Sequence, residues 1–214
     1  MDVKRYILFA AGILFGLSVV FIYKIITTHP AEPIGNIVQN IAKPDFDISK
    51  APSQSIQGKI LSMSGNIFWE SRTATESSQI SYPQILQQGE SLQTGDNGNA
   101  QVEFPNEAEI IMDAKTEIDF IQTLPTEFVV NIASGSATFT KLNDPLEIRA
   151  GHLLTKINSG QTKIGIDETG NINLNIISGS ITSAYNDQNL VSHEEDFNSP
   201  QRFTFDDLTR KFVF

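Results

Sequence analysis

Two turns rich in oxygen donors are the residues best suited to chemistry in this sequence. One is DNGN at 96–99, and a calcium loop that started at Asp96 would place its bidentate glutamate at Glu107, where a glutamate stands. The residues between alternate as a strand, which leaves too few ligands on one side. The second turn is DETGN at 167–171. Turn geometry alone explains both, because Asp, Asn and Gly tolerate left-handed backbone, so no metal site is predicted.

The remaining candidates for catalysis are scattered. There is no cysteine, and the three histidines, His29, His152 and His193, share no zinc or triad spacing. Four carboxylates occupy the polar phase of neighbouring strands and predict an outward acidic face: Glu103, Asp113, Glu117 and Asp119. We therefore predict no catalytic residue, no cofactor and no enzyme.

The charge balance excludes one class of partner. The chain has 214 residues, 40% of them hydrophobic, and a formal net charge of −10. That composition supplies a core, whereas the negative surface repels phosphate backbones and argues against a nucleic-acid partner.

The N-terminus carries an apolar segment over residues 6–26, interrupted only by Lys24. About 20 apolar residues span a bilayer, so the segment predicts a single transmembrane helix that acts as an uncleaved signal anchor. A cleaved signal peptide is the alternative, but the run exceeds the usual ~7–15 residues and no small-x-small cleavage site follows closely. A buried soluble helix of this length and uniformity is rare.

Flanking charges predict the orientation. Lys4 and Arg5 precede the helix, so residues 1–5 form a cytoplasmic stub and the C-terminal domain lies outside the cytoplasm of a bacterial-type cell. Gly12 and Gly16 form a GxxxG pair that either dimerises the helix or reflects the general frequency of glycine in membrane helices.

Residues 27–55 read as a proline-containing linker. Within it, IGNIVQNI at 34–41 has helical spacing and predicts a short amphipathic helix. That helix would dock on the edge of the domain or lie on the membrane surface.

From residue 56 to 185 the apolar period is two, which predicts an all-β domain. Three sets of alternating residues predict inward faces: Ala100, Val102 and Phe104; Phe128, Val130 and Ile132; Ile172, Leu174 and Ile176. Turn signals recur every 8–12 residues, and we place the Ser-Gly pairs that contain Gly65, Gly135 and Gly179 in turns between strands.

Residues 57–183 resemble the FecR domain family. The resemblance is carried by GKILSMSGNIFW, by LQQGESLQTGDNGNAQVEFPNEAEIIM, by FVVNIASGSATFTK and by GQTKIGIDETGNINLNIISGSITS. The signature residues are Gly89, Leu92, Thr94, Gly95, Ala100, Val102 and Phe104, with Gly98 in the adjoining turn. Asn106–Ala108 stands where the family has an Asp-Gly-Ser turn, so a different turn type is expected there.

The resemblance implies an exported module of short antiparallel strands in a β-solenoid-like or sandwich-like arrangement. Family members often relay an envelope signal and bind a sigma factor through a cytosolic N-terminal region, which this sequence lacks. The implied function is a non-enzymatic, membrane-anchored binding or sensing module that contacts an envelope protein or polymer. A structural envelope or surface-assembly scaffold is the alternative.

Aromatic residues are the candidate contacts with a partner. Trp69 either packs in the core or is an exposed binding aromatic. Residues 186–214 read as an acidic loop followed by an aromatic tail, which docks on the parent domain or contacts a partner. The tail aromatics are Phe203, Phe205, Phe212 and Phe214.

Overall fold

The computed structural model describes residues 50–52, 54–143 and 146–214. These residues form strands and turns, and among them no helix is long and apolar enough to cross a bilayer. The predicted transmembrane helix at 6–26, its glycine pair and the amphipathic segment at 34–41 lie outside the described residues.

The described residues contain 15 strands. They are β1 (Gly58–Ser64), β2 (Ile67–Glu70), β3 (Ser78–Ile80), β4 (Ile85–Leu86), β5 (Ser91–Thr94), β6 (Asn99–Phe104), β7 (Ala108–Met112), β8 (Glu117–Leu124), β9 (Glu127–Lys141), β10 (Leu146–Ala150), β11 (Leu153–Ile166), β12 (Ile172–Asn186), β13 (Ser192–Asn198), β14 (Gln201–Asp206) and β15 (Lys211–Val213). The prediction of an all-β domain is confirmed.

Hydrogen bonds connect all these strands, but three long strands divide them into two layers. Sheet I runs β3–β2–β5–β8–β9–β10–β11–β12–β13 and uses residues 127–134, 153–157 and 180–186 of the long strands. Sheet II runs β4–β1–β6–β7–β9–β11–β12–β14–β15 and uses residues 135–141, 161–166 and 172–176. Each long strand therefore begins in one sheet and ends in the other.

Glycines lie where the long strands pass between sheets. Gly135, Gly160 and Gly179 have φ values of 75°, 81° and 83°, a region that side chains with a Cβ rarely adopt. Gly160 and Gly179 face each other across β11 and β12. The prediction that Gly135 and Gly179 lie in turns between strands is wrong: both bend a continuous strand, because a Ser-Gly pair supplies the same positive φ to either structure.

Aromatic rings join the two layers across the core. Phe104 of sheet II lies 5.1 Å from Phe120 and 4.7 Å from Phe128 of sheet I, centroid to centroid. At the other end, Phe197 of sheet I lies 4.2 Å from Phe203 of sheet II. Offset or edge-to-face rings at such distances stabilise a core beyond the area they bury. The domain is thus a sandwich.

Alternation along the strands gave the core correctly. All nine residues predicted to face inward are at most 3% exposed. Two details of the expected arrangement differ, since β9, β11 and β12 are long rather than short and β9 pairs with β10 in parallel.

The chain beyond residue 185 does not form a separate loop and tail. Residues 192–198 form β13, which pairs with β12 in sheet I. The following strands extend sheet II, with β14 on β12 and β15 on β14. The expected boundary at 185/186 therefore falls at the end of one strand of the sandwich, because Phe197, Phe203 and Phe205 belong to its core.

Candidate functional site

A groove with a volume of about 810 Å³ crosses the outer face of sheet II. It runs over the strand segments 135–136, 163–166, 173–175, 202–204 and 213–214. Their alternation places apolar side chains in the core and polar ones in the groove. This groove is the candidate site.

One row of side chains across the groove carries its positive charge. Lys163 of β11 pairs with Asn175 of β12, and Asn175 pairs with Arg202 of β14. Adjacent strands lie about 4.8 Å apart. Lys163 and Arg202 therefore flank Asn175, and their backbones lie about 10 Å from each other across the sheet.

A second row forms the floor of the groove. Ser136, Gly165, Asn173, Thr204 and Val213 are successive neighbours on five strands. Gly165 leaves the floor open because it has no side chain; a Cβ there would lie 2.6 Å from that of Ser136. The groove therefore depends on a glycine between two polar neighbours.

Hydrogen bonds orient the amides of both rows. Arg202 Nε donates to Asn175 Oδ1 at 2.9 Å, and Thr204 Oγ1 donates to Asn173 Oδ1 at 2.8 Å. A guanidinium only donates, so the bond fixes which end of the Asn175 amide faces it. In the described part of the chain, Asn175 Nδ2 donates no hydrogen bond, so both its N–H groups are available.

A carboxylate beside the groove holds two of its lining side chains. Asp113 Oδ2 accepts a hydrogen bond from Ser136 Oγ at 2.5 Å and forms an ion pair with Lys163 Nζ at 2.6 Å. Partial burial raises the pKa of Asp113, but the bonds from Lys163 and Ser136 and the charge of Lys163 outweigh burial and lower it below 3.8. The carboxylate is therefore ionised at neutral pH and fixes the lysine.

A second carboxylate lies at the turn between β11 and β12. Asp167 accepts hydrogen bonds from Thr169, Asn171 and Asn173. The Thr169 hydroxyl is the largest of the causes that lower its pKa, and the bond from Asn173 adds to it. The carboxylate of this predicted acidic turn thus accepts from backbone N–H groups of the turn and also orients the Asn173 side chain in the groove.

Exposed apolar residues form the rim at the edge strand. Val213 is 56% exposed and Phe214 is 79% exposed. Phe212 is half-buried against Tyr185, Phe203 and Phe205. The Phe214 ring lies 5.9 Å from that of Phe203 and 6.2 Å from that of Phe197, so it covers the open end of the core, and Val213 is the rim side chain on the groove face.

Two of the predicted partner contacts are wrong. Phe203 and Phe205 are 5% and 0% exposed, because the phase of β14 turns both into the core. Trp69 is half-buried, and its Nε1 donates to the buried carboxylate of Glu90 at 3.1 Å. No sequence pattern indicated this pair, since its members belong to β2 and to the loop before β5.

The predicted turn glycines and Thr94 of the signature lie in connections and at one strand end. Gly65 lies between β1 and β2, Gly89 between β4 and β5, and Gly95 and Gly98 between β5 and β6. Thr94 ends β5 and is 1% exposed. None of them lines the groove.

The two described histidines lie apart, His152 in the turn after β10 and His193 in β13. His152 follows β10, and its Nδ1 lies 3.0 Å from Asp207 Oδ2. His193 Nε2 lies 3.2 Å from Asp187 Oδ2. Within residues 50–214, as far as the structure describes them, no three side chains of ligand type come together.

A model of the FecR protein family matches part of this sandwich. Residues 90–182 carry the match. This region is similar to the FecR protein family. The FecR region runs from the residue before β5 into the second half of β12 and includes Asp113, Lys163 and Asn175, but not Arg202 or the rim.

Two crystal structures of a candidate anti-sigma factor from Parabacteroides distasonis ATCC 8503 are similar to the chain. The TM-scores are 0.48 and 0.46, and the sequence identities 13% and 14%. The similarity covers 57% of this chain and 57% of each of those chains. At this level it carries no argument about function. Comparison with curated proteins gives no match.

The groove residues were not singled out from the sequence. Lys163, Asn175 and Arg202 are far apart in the chain, and only strand pairing brings them together. The sequence contained one signal. Each of these polar residues stands next to a core residue, Ile164, Leu174 or Phe203, so that all three face outward on their strands.

Proposed function

We propose that the chain is a non-enzymatic binding or sensing module, held outside the cytoplasm by a single N-terminal membrane anchor. The FecR match supports a regulatory or sensing role for the domain. The groove on sheet II supplies the surface through which the module contacts an envelope protein or polymer.

The groove is the observation that carries the proposal. Its polar side chains are positioned by strands whose inward residues are buried, and its hydrogen bonds are formed before any ligand arrives. A preorganised surface binds without the entropic cost of ordering its side chains.

The sequence supports the anchor and its orientation. Residues 6–26 are long and apolar enough to span a bilayer, and Lys4 and Arg5 precede them. Protease added to spheroplasts is expected to digest the β domain while leaving the anchor with the membrane. Protection of the β domain until the membrane is lysed would contradict the orientation.

Photo-crosslinking in intact cells tests the binding surface. A photoreactive phenylalanine analogue replaces Val213 at the rim or, as a control, Ile121, which is 42% exposed on the outer face of sheet I. We expect a discrete crosslinked envelope component from position 213 and none from position 121. The same products from both positions, or none from either, would contradict the assignment of the groove.

If the protein is instead a structural scaffold, we expect a different set of crosslinked products. Assembly of many copies would crosslink this chain to itself or to bulk envelope polymer from several faces. Mass spectrometry of the crosslinked products separates that outcome from a single contact at the groove.

A further inference from the structure

Strand β13 forms one edge of sheet I. Its seven residues pair with β12 on one side, from Ser192 opposite Asn186 to Asn198 opposite Ser180, and no strand of the described part of the chain pairs with the other side. An edge strand turns the N–H and C=O groups of every second residue away from its sheet. β13 therefore presents an unused row of backbone donors and acceptors, which we call the β13 edge.

The other edges of the sandwich are shorter. β3 and β15 have three residues each and β4 has two, whereas β13 has seven. Very short edge strands are one way in which proteins prevent another chain from adding to a sheet. Among the described strands, the β13 edge is thus the one long enough for an extended segment of another protein to add as a further strand.

Phe197 fixes the register of this edge. Its ring is 6% exposed and lies 4.2 Å from the ring of Phe203 in sheet II, centroid to centroid. Because side chains alternate along a strand, the exposed Glu194 and Asp196 face the outer side of sheet I. A slip by one residue would turn Phe197 out into water, so the two carboxylates keep their positions.

The side chains of the β13 edge are acidic. Glu194, Glu195 and Asp196 follow one another, and within the described residues none of them forms an ion pair. Glu195 and Asp196 accept hydrogen bonds from hydroxyl groups, those of Tyr185 at 3.1 Å and Thr182 at 2.6 Å. Neither donor carries a charge, so no ion pair compensates the negative charge along this edge.

These charges select the strand that can add. A second copy of β13 would place carboxylates opposite carboxylates, and like charges directly opposite each other destabilise a strand pair. Lysine or arginine side chains at alternate positions of an added strand would instead lie opposite Glu194 and Asp196, where opposite charges stabilise the pair. The edge therefore discriminates against a second copy and in favour of a basic strand.

The turn before β13 adds an apolar contact. Leu190 is 76% exposed and Val191 is 53% exposed, and Leu190 has a φ of 63°, a region that residues other than glycine seldom adopt. Asp187 holds the turn, because its carboxylate accepts from Asn189 N at 2.8 Å and from Val191 N at 2.9 Å. Two apolar side chains are thus held in water at the end of the β13 edge, where an apolar residue of an added strand would meet them.

We propose that the β13 edge binds an extended, basic segment of a partner protein by strand addition. The segment pairs its backbone with β13, sets lysine or arginine side chains opposite Glu194 and Asp196, and places an apolar residue against Leu190 and Val191. β13 lies outside residues 90–182 and does not line the groove, so this contact goes beyond the function proposed above and does not depend on it.

Peptide binding to the full chain tests the charge selection. The chain is placed in nanodiscs of phosphatidylcholine, a lipid without net charge, and binding is followed by fluorescence anisotropy. The probe is a labelled nine-residue peptide that alternates lysine with threonine and ends in leucine, and the matched peptide has glutamate in place of lysine. One variant combines Glu194→Lys and Asp196→Lys. The control variant combines Glu76→Lys and Glu168→Lys, which make the same charge change at two exposed residues between strands.

We expect the basic peptide to bind the control variant as tightly as the wild type. It should bind the β13 variant at least about tenfold more weakly, because two attractive cross-strand pairs become repulsive. The acidic peptide should bind the β13 variant more tightly than the wild type. Equal losses in the two variants would show adsorption to a negative surface and would overturn the proposal. So would the absence of binding by both peptides, which would leave the carboxylates only the role of protecting an edge.

Backbone methylation tests strand addition itself. Two versions of the basic peptide carry N-methyl groups on either the lysine or the threonine nitrogens, which lie on opposite edges of an extended peptide. Both versions keep their charge, but a methylated edge cannot donate to β13. We expect one version to bind and the other to fail, whereas equal binding or failure of both would overturn strand addition. Competition between the peptide and self-association of the chain would assign the edge to a second copy instead.

Discussion

Thr94 and Thr116 are joined by two reciprocal hydrogen bonds at the junction of β5 and β8. Thr116 N donates to Thr94 Oγ1 at 2.9 Å, and Thr94 N donates to Thr116 O at 2.8 Å. The Thr116 hydroxyl continues to the bend of β9, where it donates to Ser136 O at 2.8 Å and accepts from Ser136 N at 3.0 Å. A signature threonine is thus connected to one wall of the groove.

Replacing the Thr116 hydroxyl should destabilise the domain strongly. Thr116→Val keeps the shape but leaves the half-buried Ser136 amide without its acceptor and Ser136 O with Asp113 N as its remaining donor, which costs about 2–3 kcal/mol. We expect the melting temperature to fall by about 5–10 °C. Thr116→Ser retains the hydroxyl and should recover most of the loss, whereas equal losses in the two variants would show that the methyl group matters more.

Gly179 should not tolerate a side chain. A Cβ there would lie 2.0 Å from Ser159 O, in addition to the strain of a φ of 83°. Gly179→Ala is expected to cost more than about 3 kcal/mol or to prevent folding. Gly170→Ala is the matched control, because Gly170 has a φ of 85° with nothing within 4 Å and should lose only about 1–2 kcal/mol. Thermal melts of similar midpoint would contradict the role of close approach at the bend.

Glu117 should make stability fall as pH rises. Burial, followed by the charges of Asp119 and Glu70, raises its pKa above 4.5. The native state therefore holds this proton more tightly than the unfolded chain, and that stabilisation is present below pH 4.5 and lost as pH rises through the native pKa. Glu117→Gln should raise the melting temperature at pH 7 by about 1–2 °C and change it less at pH 4.

The control for that experiment is Glu168→Gln, which changes an exposed carboxylate in the turn between β11 and β12. It should leave the pH dependence as it is. A pH profile of Glu117→Gln parallel to that of the wild type would contradict repulsion among the three acids.

Asp113 should have the opposite pH dependence. Because its native pKa lies below 3.8, its stabilisation is present above pH 3.8 and is lost as pH falls through the native value. The pair with Lys163 is partly solvated, so Asp113→Asn should cost about 0.2–1 kcal/mol at pH 7. A double-mutant cycle with Lys163→Gln measures the coupling, and additive losses would show that the ion pair contributes nothing.

The faces of the strands were predictable from sequence, and the bends were not. Ala100, Val102 and Phe104 alternate with polar residues, and period two assigns the core without knowledge of the pairing. A Ser-Gly pair, in contrast, needs the same positive φ in a hairpin turn and in a bent strand. Only the continuation of β9 and β12 past Gly135 and Gly179 distinguishes the two.

The groove could not be predicted because it is a product of long-range pairing. Asn175 and Arg202 become neighbours through the return of β14 to β12, after β13 has joined the other sheet. The tail was misassigned for a related reason: the sequence SHEEDFN is too polar to predict a strand, yet its one apolar side chain, Phe197, fills the end of the core.

The three long strands also restrict how this domain can move. In an ordinary sandwich the sheets are tied only by loops, so one layer can slide over the other or open by itself. Here the covalent chain passes through both layers three times side by side, and displacement of one sheet pulls on every bend at once. The described sandwich is therefore expected to move as one body rather than by a change of its shape.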